Sequence, residues 1–311
     1  MAMKGPLFFA KILLFGEYGI IKDSKGLSIP YNYYRGALKS AKVLTAKQKA
    51  SHDKLLAFID YLKNLDNTIV SLDWKQLEAD LSNNMYFDSS IPQGYGVGSS
   101  GALVASFYDR YAFEKITVLE NLTKEKLNQL KVIFAAMESF FHGKSSGLDP
   151  LNSYLSLPIL INSKENIETT GLPSQNFDGK RAVFLIDSGI TGETAPMVSL
   201  FFEQMKKEAF SNMMRTQFIY FTDQCVEDFL KGDVKKLFNN IKSLSGLVLQ
   251  NFKPMIPNDF HDLWKKGLET NDYYLKLCGS GGGGFILGFT EDFEKAKKAL
   301  SGHTLEAVYH F

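Results

Sequence analysis

The sequence predicts a mixed α and β protein, and three observations carry that reading. Apolar runs of strand length, at 7–21, 182–186 and 285–289, alternate with long segments whose apolar residues recur every three or four positions. Two glycine-rich loops, 94–101 and 279–284, each stand directly before such an element. Hydrophobic residues make up 45% of the 311, with 25 Phe and 14 Tyr, so a large core can be buried and disorder is excluded for most of the chain.

The elements follow in order. Residues 7–21, with Gly16 and Gly19, read as one or two buried strands joined by a glycine-assisted bend. Leu55, Ile59 and Leu62 give helical spacing over 52–65. After the first glycine loop, Leu103, Phe107 and Tyr111 predict a helix over 102–116, with Ser99 or Ser100 as its cap. A second helix is expected over 123–142. Thr123 is its N-cap, Lys126 stands where a capping box has its acid, and Gly143 is the stop. The loop 145–150 can open another helix. Polar residues 163–180 mark a domain boundary, giving domains 1–170 and 171–311. The second half then reads as a strand over 182–186 and helices near 196–214, 223–231 and 234–251. A strand at 285–289 and a closing helix at 291–300 complete it.

Lys and Arg number 35 against 34 Asp and Glu, a net charge of +1, which offers no broad footprint for nucleic acid or an anionic membrane. Cys225 and Cys278 lie too far apart for a compact zinc motif and too few for a disulfide framework, so a reducing compartment is expected. The N-terminal apolar run is too short to span a bilayer and lacks a signal-peptide cleavage pattern, so the expected location is the cytoplasm.

The loop Gly94-Tyr95-Gly96-Val97-Gly98-Ser99-Ser100-Gly101 has four glycines in eight residues before a helix, which suits phosphate: backbone approaches closely and free N–H groups point at the anion. A structural turn is the competing reading. Asp88 to Gln93, with Pro92, replaces the apolar strand that a dinucleotide site requires, and no G-x-x-x-x-G-K-[ST] occurs, so a Rossmann cofactor and the usual P-loop are both excluded. The run 279–284 joins adjacent apolar segments, and close approach of its backbone to a ligand or to another loop accounts for it better than a linker does.

Among polar residues, Lys11 inside an apolar run is either an edge-strand lysine snorkelling to water or a buried one with an anionic partner. Glu138 and Asp149 are candidates to hold Mg²⁺ or to accept a proton from a hydroxyl. The alternatives are a solvated surface acid and a helix cap. His142 is a ligand, a base, or a dipole partner at a helix end. No metal-binding His cluster and no G-x-S-x-G elbow is present.

Three segments occur in fixed order: Ala10-Lys11-Ile12-Leu13-Leu14-Phe15-Gly16-Glu17-Tyr18, Pro92-Gln93-Gly94-Tyr95-Gly96-Val97-Gly98-Ser99-Ser100 and Cys278-Gly279-Ser280-Gly281-Gly282-Gly283. Together they resemble the three motifs of the GHMP kinase family, across nearly the whole chain. Within it, Glu138 and His142-Gly143-Lys144-Ser145-Ser146-Gly147-Leu148-Asp149 are most similar to the mevalonate kinase branch. The branch usually has Pro where Ser145 stands, Asn where Pro150 stands and His where Tyr18 stands.

The resemblance implies an α+β fold of two domains, an N-terminal one like domain 2 of a small-subunit ribosomal protein and a C-terminal ferredoxin-like one. It implies ATP and Mg²⁺ as cofactors and phosphoryl transfer to the primary hydroxyl of a small molecule in isoprenoid biosynthesis. Asp149 and Lys11 would be catalytic. The backbone of Gly94, Gly96, Val97, Gly98, Ser99, Ser100 and Gly101 would surround the phosphates, with Ser99 or Ser100 and Glu138 on the metal. Glu17, Tyr18, His142, Ser146, Gly147, Thr194, Gly281 and Gly282 would lie on the substrate side. The implied partner is a small-molecule acceptor, mevalonate first; a homodimer stands as one option, since the sequence does not disclose the oligomeric state. Phosphomevalonate kinase, diphosphomevalonate decarboxylase and a catalytically silent ligand sensor remain as alternatives on this scaffold.

Overall fold

The computed structural model describes residues 5–117 and 122–311. The chain divides into two compact units. One gathers the stretch ending at Lys11, Ile29–Gln93 and Gly98–Leu157; the other gathers Ile12–Ser28, Gly94–Val97 and Pro158–Phe311.

The first apolar run forms one strand, β1 (Phe8–Phe15), not two. Gly16 at φ 118° and Tyr18 at φ 60° turn the chain into a short 3-10 helix, Gly19–Lys22, so the next strand, β2, starts only at Gly26 and runs to Ser40. Nothing in the sequence announced β2, because Pro30, Gly36 and three tyrosines break any clean alternation. Its second half pairs antiparallel with β3 (Met85–Ser89), from Gly36 opposite Ser89 to Ser40 opposite Met85.

The helices of the first unit are α1 (Ala46–Lys63), α2 (Trp74–Ser82), α3 (Ser99–Tyr111), α4 (Lys124–His142) and α5 (Leu148–Leu155). Thr45 and Gln48 close a capping box on α1, whose Leu55, Phe58, Ile59 and Leu62 are buried. On α4, Thr123 accepts the Lys126 N–H and Gly143 ends the helix at φ 73°, as the sequence expects. Two expectations for α3 are corrected. Its N-cap is Gly98, in the left-handed conformation, and Ser99 and Ser100 are its first two helical residues. It also ends at Tyr111 and not at 116, because Ala112 turns extended and bridges to Leu72.

In the second unit, β4 (Ile159–Ile161) pairs antiparallel with Gly26–Ser28 of β2 and with β5 (Ile167–Thr169). The remaining strands, β6 (Ala182–Asp187), β7 (Tyr274–Leu277), β8 (Phe285–Thr290) and β9 (Leu305–His310), form an antiparallel sheet in the order β7-β8-β6-β9. Helices α6 (Thr194–Met205), α7 (Glu208–Met213), α8 (Ile219–Lys231), α9 (Val234–Asn251) and α10 (Phe260–Thr270) lie between β6 and β7. α11 (Phe293–Ala299) lies between β8 and β9. Strand, helices, strand, strand, helix, strand, with the first strand beside the third and fourth, is the ferredoxin-like arrangement. The single helix expected over 196–214 is interrupted at Lys207, whose backbone is extended, and a π-helical turn (Met214–Phe218) leads directly into α8. No helix among the described residues is long and apolar enough to cross a membrane.

Candidate active site

The start of α3, the end of α4 and the start of α5 are pressed together by glycines. A Cβ on Gly101 would lie 2.7 Å from the Asp149 carbonyl carbon, so the first turn of α3 rests on the start of α5. Gly147, at φ 73°, leaves α5 no space from α4, since its Cβ would sit 2.1 Å from the Lys131 carbonyl oxygen. These contacts bring Lys11 of β1, Ser100 of α3, Glu138 and His142 of α4, Ser145 before α5 and Asp149 in its first turn into one cluster within the first unit.

Lys11 is 4% exposed, and its Nζ lies 3.0 Å from Asp149 Oδ1. The anionic partner expected of a buried lysine is thus Asp149, whose side chain keeps 36% exposure. Asp149 does not cap α5; Gly147 holds the N-cap position. Gly98 fits closely above the pair, its would-be Cβ 3.0 Å from Lys11 Cγ and 3.6 Å from Asp149 Oδ2.

Glu138 is 3% exposed, so it is no surface acid. Ser100 Oγ donates to its Oε1 at 2.9 Å and Ser145 Oγ to its Oε2 at 2.5 Å. Burial, and then the negative charge of Asp149, push its pKa up to about 7 against the pull of the two hydroxyls and Lys11. Ser100 Oγ also lies 3.0 Å from His142 Nε2, and partial burial lowers the His142 pKa. Sequence reasoning missed Ser145, which donates to Glu138 and accepts the Gly147 N–H at 3.0 Å. Its only signal was its place where related motifs carry Pro. Ser146 accepts the Leu148 N–H at 3.4 Å and braces the entry of α5. Ser99 lies outside this set of hydrogen bonds.

The other expected residues lie in the second unit, where three loops interlace. Gly94 accepts the Gly192 N–H at 2.9 Å, and Gly284 donates to the Ile190 carbonyl at 2.7 Å. A Cβ on Gly96, at φ 76°, would meet the Cys278 carbonyl oxygen at 2.4 Å, so close backbone approach to another loop accounts for glycine in both runs. Gly282 donates to the Met255 carbonyl at 2.7 Å, Gly281 at φ 78° lies against the same carbonyl, and Val97 is buried. Thr194 Oγ1 lies 3.4 Å from Ser280 Oγ. Glu17 and Tyr18 are buried, Glu17 against Lys276 and Tyr18 with its hydroxyl on the Ser280 carbonyl. Lys276 was not foreseen, since its partner lies 259 residues away and no local spacing connects them.

Chemically, the first-unit cluster offers a carboxylate and an ammonium in contact, beside a second carboxylate bonded to two hydroxyls. No group of three or more His, Cys, Asp or Glu side chains able to hold a metal occurs among the described residues.

Residues 225–305 match the family model described as GHMP kinases C terminal. Among solved structures, the chain resembles L. major mevalonate kinase in complex with R-mevalonate, at 17% identity over 99% of this chain and 96% of that one, with a TM-score of 0.66. It resembles Streptococcus pneumoniae phosphomevalonate kinase in complex with phosphomevalonate and AMPPNP at 12% identity over 99% of each chain, with a TM-score of 0.62. For Lactococcus lactis galactokinase complexed with galactose the values are 9%, 98% and 93%, and 0.60. No curated protein sequence matches. The chain therefore has the fold of the GHMP small-molecule kinases, and residues 225–305 carry that family's C-terminal domain. Within that class it resembles the mevalonate kinases.

Proposed function

We propose that the protein transfers the γ-phosphoryl group of ATP to the primary hydroxyl of mevalonate, giving 5-phosphomevalonate. The observation that carries this reading is the 3.0 Å pair of Lys11 and Asp149 next to the Ser100–Glu138 hydrogen bond, all within the first unit. Phosphoryl transfer asks a protein mainly to position its reactants and neutralise charge. The Asp149 carboxylate, about one-third exposed, orients the acceptor hydroxyl and takes its proton as the oxygen attacks. Lys11, 3.0 Å from Asp149, holds the carboxylate in place and puts positive charge beside the transferring group.

The backbone of 94–101 is assigned to the phosphates, and Gly94, Gly96 and Gly98 at positive φ keep side chains off that backbone. The donor set fits Mg²⁺: Glu138 and the Ser100 hydroxyl are hard oxygens, and few protein ligands suit an ion that phosphates also hold. Bound there by Glu138 with Ser99 or Ser100, Mg²⁺ would neutralise charge on the phosphates.

Mevalonate is preferred as acceptor because the 138–149 segment follows the mevalonate kinase pattern; the fold alone does not choose, since a phosphomevalonate kinase shares it at a TM-score of 0.62 beside mevalonate kinases at 0.66 and 0.59. The test is ADP release with ATP and Mg²⁺ against mevalonate, phosphomevalonate, diphosphomevalonate, galactose and homoserine. Turnover on phosphomevalonate alone would transfer the assignment to the next kinase in kind.

A further inference from the structure

Ser145 stands in the short link between α4 and α5, and it is bonded three ways. Its hydroxyl donates to Glu138 Oε2 at 2.5 Å, its Oγ accepts the Gly147 N–H at 3.0 Å, and its own N–H donates to Ser139 Oγ at 3.3 Å. Ser139 in turn donates to the Ala135 carbonyl at 2.7 Å, one turn back along α4. One residue thus ties the buried carboxylate both to the last turns of α4 and to the N-cap of α5. A proline, which the motif resembled by this segment has here, could supply neither the hydroxyl nor the N–H.

The two hydroxyls on Glu138 are not equivalent. Each carries a single proton. With Glu138 ionised, Ser100 gives its proton to Oε1 at 2.9 Å, so in the 3.0 Å contact with His142 it is Nε2–H that donates to Ser100 Oγ. The second partner of Ser100 is therefore a side chain free to change its rotamer or its proton. The second partner of Ser145 is a backbone amide, and Gly147 has no room to shift: its would-be Cβ lies 2.1 Å from the Lys131 carbonyl oxygen. Ser145 is the rigid anchor and Ser100 the adjustable one. At 3% exposure, Glu138 has no bulk water to replace a lost donor.

We propose that Ser145 is a positioning residue: it holds Glu138 Oε2 against the α4–α5 junction and so leaves Oε1, with the Ser100 hydroxyl, as the oxygens offered to a divalent cation. Ser145 is not itself a ligand; it acts by fixing the plane of the carboxylate, as the outer partners of metal ligands do. Although the cation rests on the kinase reading, every residue that orients Glu138 here belongs to the first unit.

The test compares wild type with Ser145→Ala, which keeps the N–H and removes the hydroxyl, and with Ser145→Thr, which keeps both, in the full chain. The probe is Mn²⁺, added with AMPPNP and no acceptor. Its binding to the protein is read from water-proton relaxation, so turnover plays no part. Mn²⁺ affinity should fall about tenfold in Ser145→Ala and return to within about twofold of wild type in Ser145→Thr. In turnover, the Mg²⁺ concentration for half-maximal activity should rise by a similar factor in Ser145→Ala, with the acceptor KM within about twofold. Wild-type Mn²⁺ affinity in Ser145→Ala overturns the proposal even if the variant melts earlier, because a merely structural serine would lower stability alone. A wild type that binds no Mn²⁺ overturns it too, and so does a Ser145→Thr as weak as Ser145→Ala. Weakened Mn²⁺ binding in Ser145→Ala, restored in Ser145→Thr, together with no ADP release by wild type on any acceptor, would leave the positioning role standing and sink the kinase reading.

Discussion

Lys11 Nζ stands 3.0 Å from Asp149 Oδ1, with the lysine almost wholly buried and the carboxylate about one-third exposed. An ammonium and a carboxylate so placed share one charge-compensated site in which the carboxylate alone reaches solvent, and through it a substrate. Asp149→Asn should therefore lower turnover ~10²–10⁴-fold, the range of a proton-transfer group, while nucleotide affinity measured by calorimetry stays near wild type. Equal losses in both would reassign Asp149 to binding.

Gly98 tests the packing above that pair. An alanine there is strained at φ 78° by about 1–2 kcal/mol and brings its Cβ to 3.0 Å from Lys11 Cγ. Gly98→Ala should cut kcat by ~10–10²-fold through misplacement of Lys11. Gly143→Ala provides the control, since φ is 73° there too but nothing lies within 4 Å. It should cost at least as much stability, since ψ is −53° there against 40° at Gly98, and leave kcat within about twofold.

The two serines at the start of α3 separate on their hydrogen bonds. Ser100 joins Glu138 and His142, whereas Ser99 does not. Ser100→Ala should raise the Mg²⁺ concentration for half-maximal activity about tenfold, and Ser99→Ala should change it less. A magnesium titration of both variants at saturating ATP decides between them.

A structural cluster in the first unit provides a contrast. Asp80 accepts from Arg110 Nε at 2.6 Å, Tyr111 Oη at 2.8 Å and Gln76 Nε2 at 3.0 Å. Burial alone would raise its pKa, but these donors outweigh it and the net shift is downward. In acid the unfolded chain then binds more protons than the folded one. The contribution is complete above the unfolded pKa of about 4 and is lost as pH falls through the lower folded value. Asp80→Asn should cost about 2–3 kcal/mol at pH 7, and the gap from wild type in thermal unfolding should narrow towards pH 3. Per folded molecule, its kinase activity should be unchanged.

Legibility in the sequence followed locality. α9 runs over 234–251 as read, because Leu237, Ile241, Leu244 and Val248 share one stripe, and α4 is bounded by Thr123 and Gly143 as read. β2 was invisible because Pro30 and Gly36 interrupt its pattern, and besides β1 it pairs with β3 and β4, which lie far along the chain. The cap of α3 was misread because the rule favours Ser over Gly, whereas here the chain enters from a left-handed residue. In the site, Lys11, Glu138 and Asp149 could be named from their oddity or motif. Ser145 and Lys276 acquire their roles only from partners that the fold supplies.

The most direct measurement is ADP release by the purified protein with ATP and Mg²⁺ against the five acceptors. The account predicts turnover on mevalonate, lowered ~10²–10⁴-fold from wild type by Asp149→Asn. Binding of ATP with no ADP release on any acceptor, or undiminished turnover in Asp149→Asn, would contradict it.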